Sequence, residues 1–213
     1  SIGDEILLKN IFKRNQINII YHTAAYKHVP ILEDNILTAF KNNFNNTYMI
    51  ASLCNDYNID RFVLVSSDKA VRPTNIMGAT KRLSELSIKY FHEKFNSKLT
   101  NTVFSIVRFG NVLESSGSAI PLFKKQILED RKITITHPEI TRYFMSIEEA
   151  VYLIIQSSTV GKGGEIFLLD MGEPIKIIDL VINMIKLAGL EVKNDKNPND
   201  RNLVYEAGFN LGS

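Results

Sequence analysis

Residues 65–85, "VSSDKAVRPTNIMGATKRLSE", set a hydroxyl, a carboxyl and an amine in immediate succession: Ser67, Asp68 and Lys69. A second lysine, Lys81, follows Met77 by four residues, and on a helix that spacing puts both on one face. Hydroxyl, carboxylate and amine at one strand terminus, opposite a helix carrying another cation, form an economical acid/base site. Met-x-x-x-Lys alone is no motif, because a core methionine followed by a surface lysine explains it far better. The flanking triplet gives it meaning. The methionine raises its own question, since a thioether cannot ionise where that spacing commonly carries a tyrosine.

Other stretches offer binding chemistry. In "HTAAYKHVP" (22–30), Ala24 and Ala25 let a flat cofactor approach the backbone, and Lys27 and His28 add cationic donors. "RFGNVLESSGS" (108–118) supplies Asn111 and the hydroxyls of Ser115, Ser116 and Ser118, suited to sugar hydroxyls and phosphate oxygens. Arg142, in "THPEITRYF", can fork a diphosphate bidentately. Each pattern by itself also fits an ordinary loop or a surface ion pair. The four histidines, His22, His28, His92 and His137, show no metal-ligand spacing, and Cys54 falls on an apolar helix face, so neither metal binding nor thiol chemistry is expected.

These residues need a scaffold that brings strand ends together. "INIIYHTAA", "RFVLVSS" and "NTVFSIVRFGNV" read as buried strands, separated by helical patterns at 36–58 and 77–96. A further helix at the start is expected to turn Ile6, Leu7, Ile11 and Phe12 to one side. Strand and helix alternate through residue 112, which predicts parallel βαβ units: an α/β, Rossmann-like doubly wound sheet. Ligands of such sheets bind where strands end at the carboxyl edge, and "HTAA", "SSDK" and "RFGN" are all strand ends. Residues 1–112 are therefore read as a partial dinucleotide-binding region, 113–190 as a smaller α/β substrate lobe, and 191–213 as a poorly ordered polar tail.

The 213 residues are 45% hydrophobic and 23% charged, an ordinary globular composition whose folding buries about 70% of the unfolded chain's surface. With 25 basic against 23 acidic residues, the charge offers no footprint for nucleic acid or an anionic membrane. A single cysteine suits a reducing compartment, and no long apolar run or leader pattern is present, so a cytoplasmic location without direct membrane insertion is expected.

Taken in order, "HTAAYKHVP", "SSDKAVRPTNIMGATKRLSE", "RFGNVLESSGSAIPLF", "THPEITRYFMSIEEA" and "FLLDMGEPIKIIDL" resemble bacterial nucleotide-sugar 4,6-dehydratases of the extended short-chain dehydrogenase/reductase superfamily. The likeness covers about residues 3–190 and is greatest to UDP-N-acetylglucosamine 4,6-dehydratases, especially the large membrane-anchored members. Some members replace the tyrosine of the usual catalytic triad by methionine, so Met77 marks a subclass. The resemblance implies tightly held NAD or NADP, a UDP-sugar substrate, a homo-oligomer, and a parent anchored at the cytoplasmic face of the membrane. It makes Asp68 the acid for the leaving hydroxyl, Lys69 the base at C5, Ser67 the holder of the C4 oxygen, and Lys81 the nicotinamide-ribose ligand. Met77 completes that catalytic set. It also puts Asp4 on adenine, places Tyr26, Asn43, Ser66 and Phe109 with Ala24 and Ala25 on the cofactor, and makes Asn111 and Arg142 substrate contacts. A 4-epimerase and a non-catalytic nucleotide-sugar-binding remnant are the rival readings. Two departures stand out. The family's Gly-rich phosphate loop and first strands have no counterpart here, and "GFNLGS" replaces a Gly-Leu-Arg-Pro-Gly-Glu segment. Both imply a fragment, and the missing strands imply an unpaired sheet edge.

Overall fold

The computed structural model describes residues 1–96, 102–113, 115, 118–129, 133, 135, 137, 139–190 and 192. In chain order the helices are α1 (Glu5–Arg14), α2 (Val29–Asp34), α3 (Ile36–Ala39), α4 (Asn46–Asp56), α5 (Ile76–Asn96), α6 (Ala119–Leu128), α7 (Ile147–Val160) and α8 (Ile177–Leu187). The strands are β1 (Ile19–His22), β2 (Arg61–Val65), β3 (Val103–Arg108), β4 (Asn111–Val112), β5 (Thr141–Arg142), β6 (Phe144–Met145), β7 (Ile166–Leu168) and β8 (Ile175–Lys176). A π-helical segment, Phe40–Asn45, joins α3 to α4, and a 3-10 turn, Asp68–Ala70, follows β2.

The chain divides into two compact units, Ser1–Phe109 with Val151–Asp170, and Gly110–Ala150 with Met171–Ser213. In the first unit four parallel strands run in the order β1-β2-β3-β7, the Rossmann-like arrangement that the alternation of strands and helices predicts. Among the described residues β1 pairs on one side only, with β2, and Ile19 and Tyr21 are exposed along it. Strands β2 and β3 are near-continuous apolar runs because both sheet faces are covered. One cluster joins Phe62, Phe91, Phe95 and Phe104 to Ile59, Leu64, Ile88 and Ile106, and the other joins Val63 and Val107 to Ile154 of α7.

The boundary differs from the one the sequence suggests. Segment 151–170, expected in the second lobe, belongs to the first unit because β7 adds to β3, with Val107 opposite Phe167. That pairing joins residues about sixty positions apart, beyond the reach of local periodicity. It is reinforced by Arg61, which donates to the carbonyls of Ser158 and, at 3.1 Å, Gly161. A cation thus sits at the C-terminus of α7, whose last turn has none of its own. Helix α1 also differs. Leu8 and Phe12, rather than Ile6 and Leu7, pack on the core, and Ile6 remains 76% exposed.

The second unit holds two small sheets, β4-β6 parallel and β5-β8 antiparallel, around Phe123, Ile127, Ile177, Val181 and Ile185. The tail 193–213 lies outside the described residues. Among those described, no helix is long and apolar enough to cross a membrane.

Phe104 is fully buried, with ring centroids 5.7 Å from Phe62 and 6.0 Å from Phe95. Phe104→Ala is expected to lower stability by about 4 kcal/mol, read from urea denaturation, since it leaves a cavity against rings that cannot collapse.

Candidate active site

The end of β2 is where chemistry gathers. The backbone leaves the sheet at Ser66, whose N–H donates to Val107 at 2.7 Å, and turns through Ser67–Ala70. Ser67 caps that turn, its hydroxyl accepting from the Lys69 N–H at 3.3 Å and donating to Asp68 at 2.8 Å. The same Asp68 oxygen receives the Lys69 N–H at 2.9 Å and the Lys69 ammonium at 3.1 Å. Burial alone would raise the Asp68 pKa, but the Ser67 hydroxyl and the Lys69 charge and donors outweigh it. The carboxyl therefore lies below its usual range and is ionised at neutral pH. The turn is also tied to β3, because the Asp68 N–H donates to the carbonyl of Phe109 at 3.2 Å.

Helix α5 is placed against this turn by its own start. Asn75 accepts the Gly78 N–H at 2.8 Å, and Glu33 of α2 accepts the Ile76 N–H at 2.7 Å, so two of the helix's orphan donors are satisfied. Gly78 then passes so close to the turn that a Cβ there would lie 2.5 Å from the Lys69 carbonyl oxygen. Four residues after Met77, the Lys81 ammonium donates to the Val65 carbonyl at 2.9 Å. Its pKa is lowered to about 8 by burial, with Glu85 pulling in the opposite direction. An ammonium has three donors, so two remain for a diol.

Several candidate residues from the sequence make their contacts inside the protein. Met77 is buried in an apolar cluster with Leu32 and Ala39, consistent with a thioether that packs and does not ionise. Asn43 is buried too. Its amide accepts the Tyr26 N–H at 2.7 Å and donates to the Tyr26 carbonyl at 2.9 Å and to Thr80 at 3.1 Å. It therefore clamps the loop after β1 to α5. Ser66 donates to the buried Glu85 at 2.7 Å, and the Phe109 side chain packs with Val63 and Val107. Both side chains hold the strand ends. Glu85, Arg108 and Gly78 were not singled out by sequence. Only Gly78, a glycine in the first turn of a helix, carried a local signal.

The remaining positions differ in exposure. Ala24, Tyr26, Lys27 and His28 are exposed and Ala25 is half-buried. Asp4 caps α1 by accepting the Leu7 N–H at 2.9 Å, and it lines a cleft with Gly3, Tyr26, Thr38 and Lys41. This donor set fits a dinucleotide: small side chains after β1, a carboxylate in the adjoining cleft, and a half-buried ammonium beside the end of β2. In the second unit, Asn111 lies on β4 and Arg142 on β5, where it donates to the Thr141 carbonyl at 2.9 Å. Ser115 is half-buried. Ser118 stands at the N-cap of α6, and its hydroxyl is buried with no partner among the described residues. Ser116 lies outside the described residues.

Behind the site, His22 ends β1 and meets the Thr47 hydroxyl at 2.8 Å. Thr47 spends its only proton on the Asn43 carbonyl, so the imidazole nitrogen that it meets is the protonated one. Burial first, and the Lys81 charge second, lower the His22 pKa to about 4.

Two outcomes are expected. Gly78→Ala should leave the circular dichroism intact but cut turnover by about 10²-fold, because the added carbon displaces the Lys69 backbone. Between pH 6.5 and 4 the unfolded chain binds a proton at His22 that the native state refuses. Stability should therefore fall by about 3 kcal/mol as pH drops through that window. His22→Gln should remove that component, and comparing the two proteins by urea unfolding separates it from the carboxylates.

Residues 1–203 match the polysaccharide biosynthesis protein family. The chain is 48% identical to a probable polysaccharide biosynthesis protein, EpsC, of Bacillus subtilis, over 88% of this chain and 31% of that protein. It is 34% identical to an inverting UDP-N-acetylglucosamine 4,6-dehydratase of Campylobacter jejuni, over 77% of this chain and 48% of the relative. It is 33% identical to a UDP-glucose 4-epimerase of Rickettsia rickettsii, over 92% of this chain and 55% of the relative. The chain thus spans from about a third to about half of the length of these relatives. Among solved structures, Pen from Bacillus thuringiensis superposes with a TM-score of 0.83 at 34% identity, covering 97% of this chain and 59% of that one. DesIV, a dTDP-glucose 4,6-dehydratase from Streptomyces venezuelae, shares the fold with a TM-score of 0.80 at 19% identity, covering 97% of this chain and 69% of that one. Its sequence, its parallel sheet and its matching relatives agree: this chain belongs to the polysaccharide biosynthesis protein family.

Proposed function

We infer that this chain carries the catalytic residues of a nucleotide-sugar 4,6-dehydratase, a lyase that forms a 4-keto-6-deoxy sugar from UDP-N-acetylglucosamine. The observation that carries this reading is the Ser67–Asp68–Lys69 turn. It holds an ionised carboxylate and an amine 3.1 Å apart on one short, capped segment. Dehydration across C5 and C6 needs both groups on one substrate.

NAD(P)+, when bound, supplies the acceptor for hydride from sugar C4 and the donor of that hydride to C6. Lys81 would hold the nicotinamide ribose and Asp4 the adenine, with Ala24 and Ala25 allowing close approach. Ser67 holds the C4 oxygen. The C4 hydroxyl proton passes to the Asp68 carboxylate, a role that Met77, buried and without an ionisable group, cannot fill. The amine form of Lys69 removes the C5 proton, made acidic by the adjacent ketone. Asp68 returns its proton to the departing C6 hydroxyl, which leaves as water. Lys69 finally returns a proton to C5 as C6 is reduced. Each residue ends as it began, and the substrate has lost one water.

In the second unit, Asn111, Arg142 and the Ser118 hydroxyl, which has no partner among the described residues, supply donors of the kind a sugar diphosphate accepts, and all three are assigned to the UDP-sugar. The homo-oligomer and the cytoplasmic placement follow from the same reading. A 4-epimerase is the second reading, favoured by the 33% identity to a protein of that name. It oxidises C4 but requires no acid at C6, and so leaves Asp68 without its second task.

Turnover of UDP-N-acetylglucosamine by the intact protein in D2O tests the assignment. Product NMR is expected to show a 4-keto-6-deoxy sugar with solvent deuterium at C5, whereas a C4 epimer would establish the rival. Asp68→Asn and Lys69→Met should each lower kcat by about 10²- to 10⁴-fold, the usual contribution of a positioned acid or base.

A further inference from the structure

The least accessible charge in the described structure plays no part in the chemistry above. Glu85 lies on α5, one turn beyond Lys81, and is 0% exposed. Its carboxylate accepts from Arg108 through two nitrogens, at 2.7 and 2.5 Å, from Ser66 at 2.7 Å, and from Arg82 at 3.0 Å. Arg108 is the last residue of β3, and Ser66 the first after β2. One carboxylate therefore pins the carboxyl ends of two adjacent central strands to one helix. Those ends carry the catalytic turn: Ser66 precedes Ser67, and the Phe109 carbonyl after Arg108 receives the Asp68 N–H at 3.2 Å. On the helix side, Lys81 reaches the Val65 carbonyl at 2.9 Å, just before the pinned Ser66.

We propose that Glu85 is a positioning residue, whose carboxylate clamps the ends of β2 and β3 to α5 and so fixes Lys81 in register with the Ser67–Lys69 turn. The inference rests on the dehydratase reading for its consequence in turnover, though not for its geometry. A second effect follows from charge. The groups acting on the Lys81 ammonium are Glu85 on its own helix and His22 at the end of β1, and in the turn Asp68 is paired with Lys69. His22 is neutral above about pH 4, so Glu85 is the charge that offsets the burial of Lys81. Removing it also leaves Arg82 and Arg108 unbalanced nearby, and both changes disfavour the ammonium.

The test is Glu85→Gln in the intact protein, with Lys81 read directly by competitive acetylation and peptide mass spectrometry across pH. The labelling midpoint of Lys81 is expected to fall from near 8 by about one pH unit, a tenfold change in its proton affinity. The kcat on UDP-N-acetylglucosamine should fall by about 10²-fold, with KM within about twofold. Ile88→Val, a core change on the same helix, serves as the stability control. A Glu85→Gln protein that loses stability as this control does, with the Lys81 midpoint unmoved, overturns the proposal. Should Glu85→Gln fail to fold, Ser66→Ala removes one arm of the clamp. A several-fold faster labelling of Lys81 at fixed pH then supports the clamp, and an unchanged rate overturns it. Wild-type protein that turns over no UDP-sugar, while Glu85→Gln still moves Lys81, sinks the dehydratase reading and leaves the clamp standing.

Discussion

A carboxylate shut away from water has to be balanced where it sits, and at Glu85 this requirement organises the site. Removing an ionised group from solvent costs several kcal/mol unless charge and hydrogen bonds replace the lost hydration. Here the replacement is a forked guanidinium from β3, a hydroxyl from the end of β2 and a second guanidinium from the same helix. Burial pushes the Glu85 pKa up, and these partners, Arg108 foremost, more than offset it. The geometry that satisfies Glu85 is also the geometry that sets α5 against the ends of two strands.

The other polar contacts extend that frame. Asn43, in the π-helical segment, treats the backbone of Tyr26 as a strand would, giving and receiving one hydrogen bond each, and hands a third to Thr80 of α5. Helix α5 therefore serves as a common post, with the loop after β1 on one side and the turn after β2 on the other. Gly78 lets the post stand close, because any side chain there would meet the Lys69 backbone. Holding Asp68 and Lys69 on a short turn between rigid elements, rather than on a long loop, keeps the two groups at a fixed spacing. The deep burial of Cys54 completes the picture: its thiol pKa is pushed up by desolvation, and the residue acts as a small apolar filler.

The site mixes sharply different environments within a few residues. Asp68 and Lys69 remain half open to solvent, while Glu85 and His22 are buried within the frame. The half-exposed pair is worth little to stability. The interior groups are the reverse, since breaking one of their contacts leaves a charge or a donor without compensation. The half-exposed pair and the buried frame are thus neighbouring but separate sets of residues, with the half-buried Lys81 between them.

The sequence by itself determined the parallel α/β architecture, because apolar runs alternating with amphipathic helices admit few other solutions. It also determined the Ser67–Asp68–Lys69 turn, because three reactive groups in succession need no tertiary information to be near one another. The i,i+4 relation of Met77 to Lys81 was legible for the same reason, although not that Met77 would turn into an apolar cluster. Only the tertiary structure decided which polar residues face a ligand and which hold the frame. Asn43 and Ser66 look alike as strings, yet each spends its hydrogen bonds internally. Glu85 and Arg108 lie 23 residues apart, on a helix and a strand, and nothing in local spacing announces their pairing. The same holds for residues 151–170, drawn into the first unit by β7 on β3. Periodicity reports which face of an element is apolar. Where a buried charge finds its partner depends on contacts between elements distant in the chain, which a local pattern does not contain.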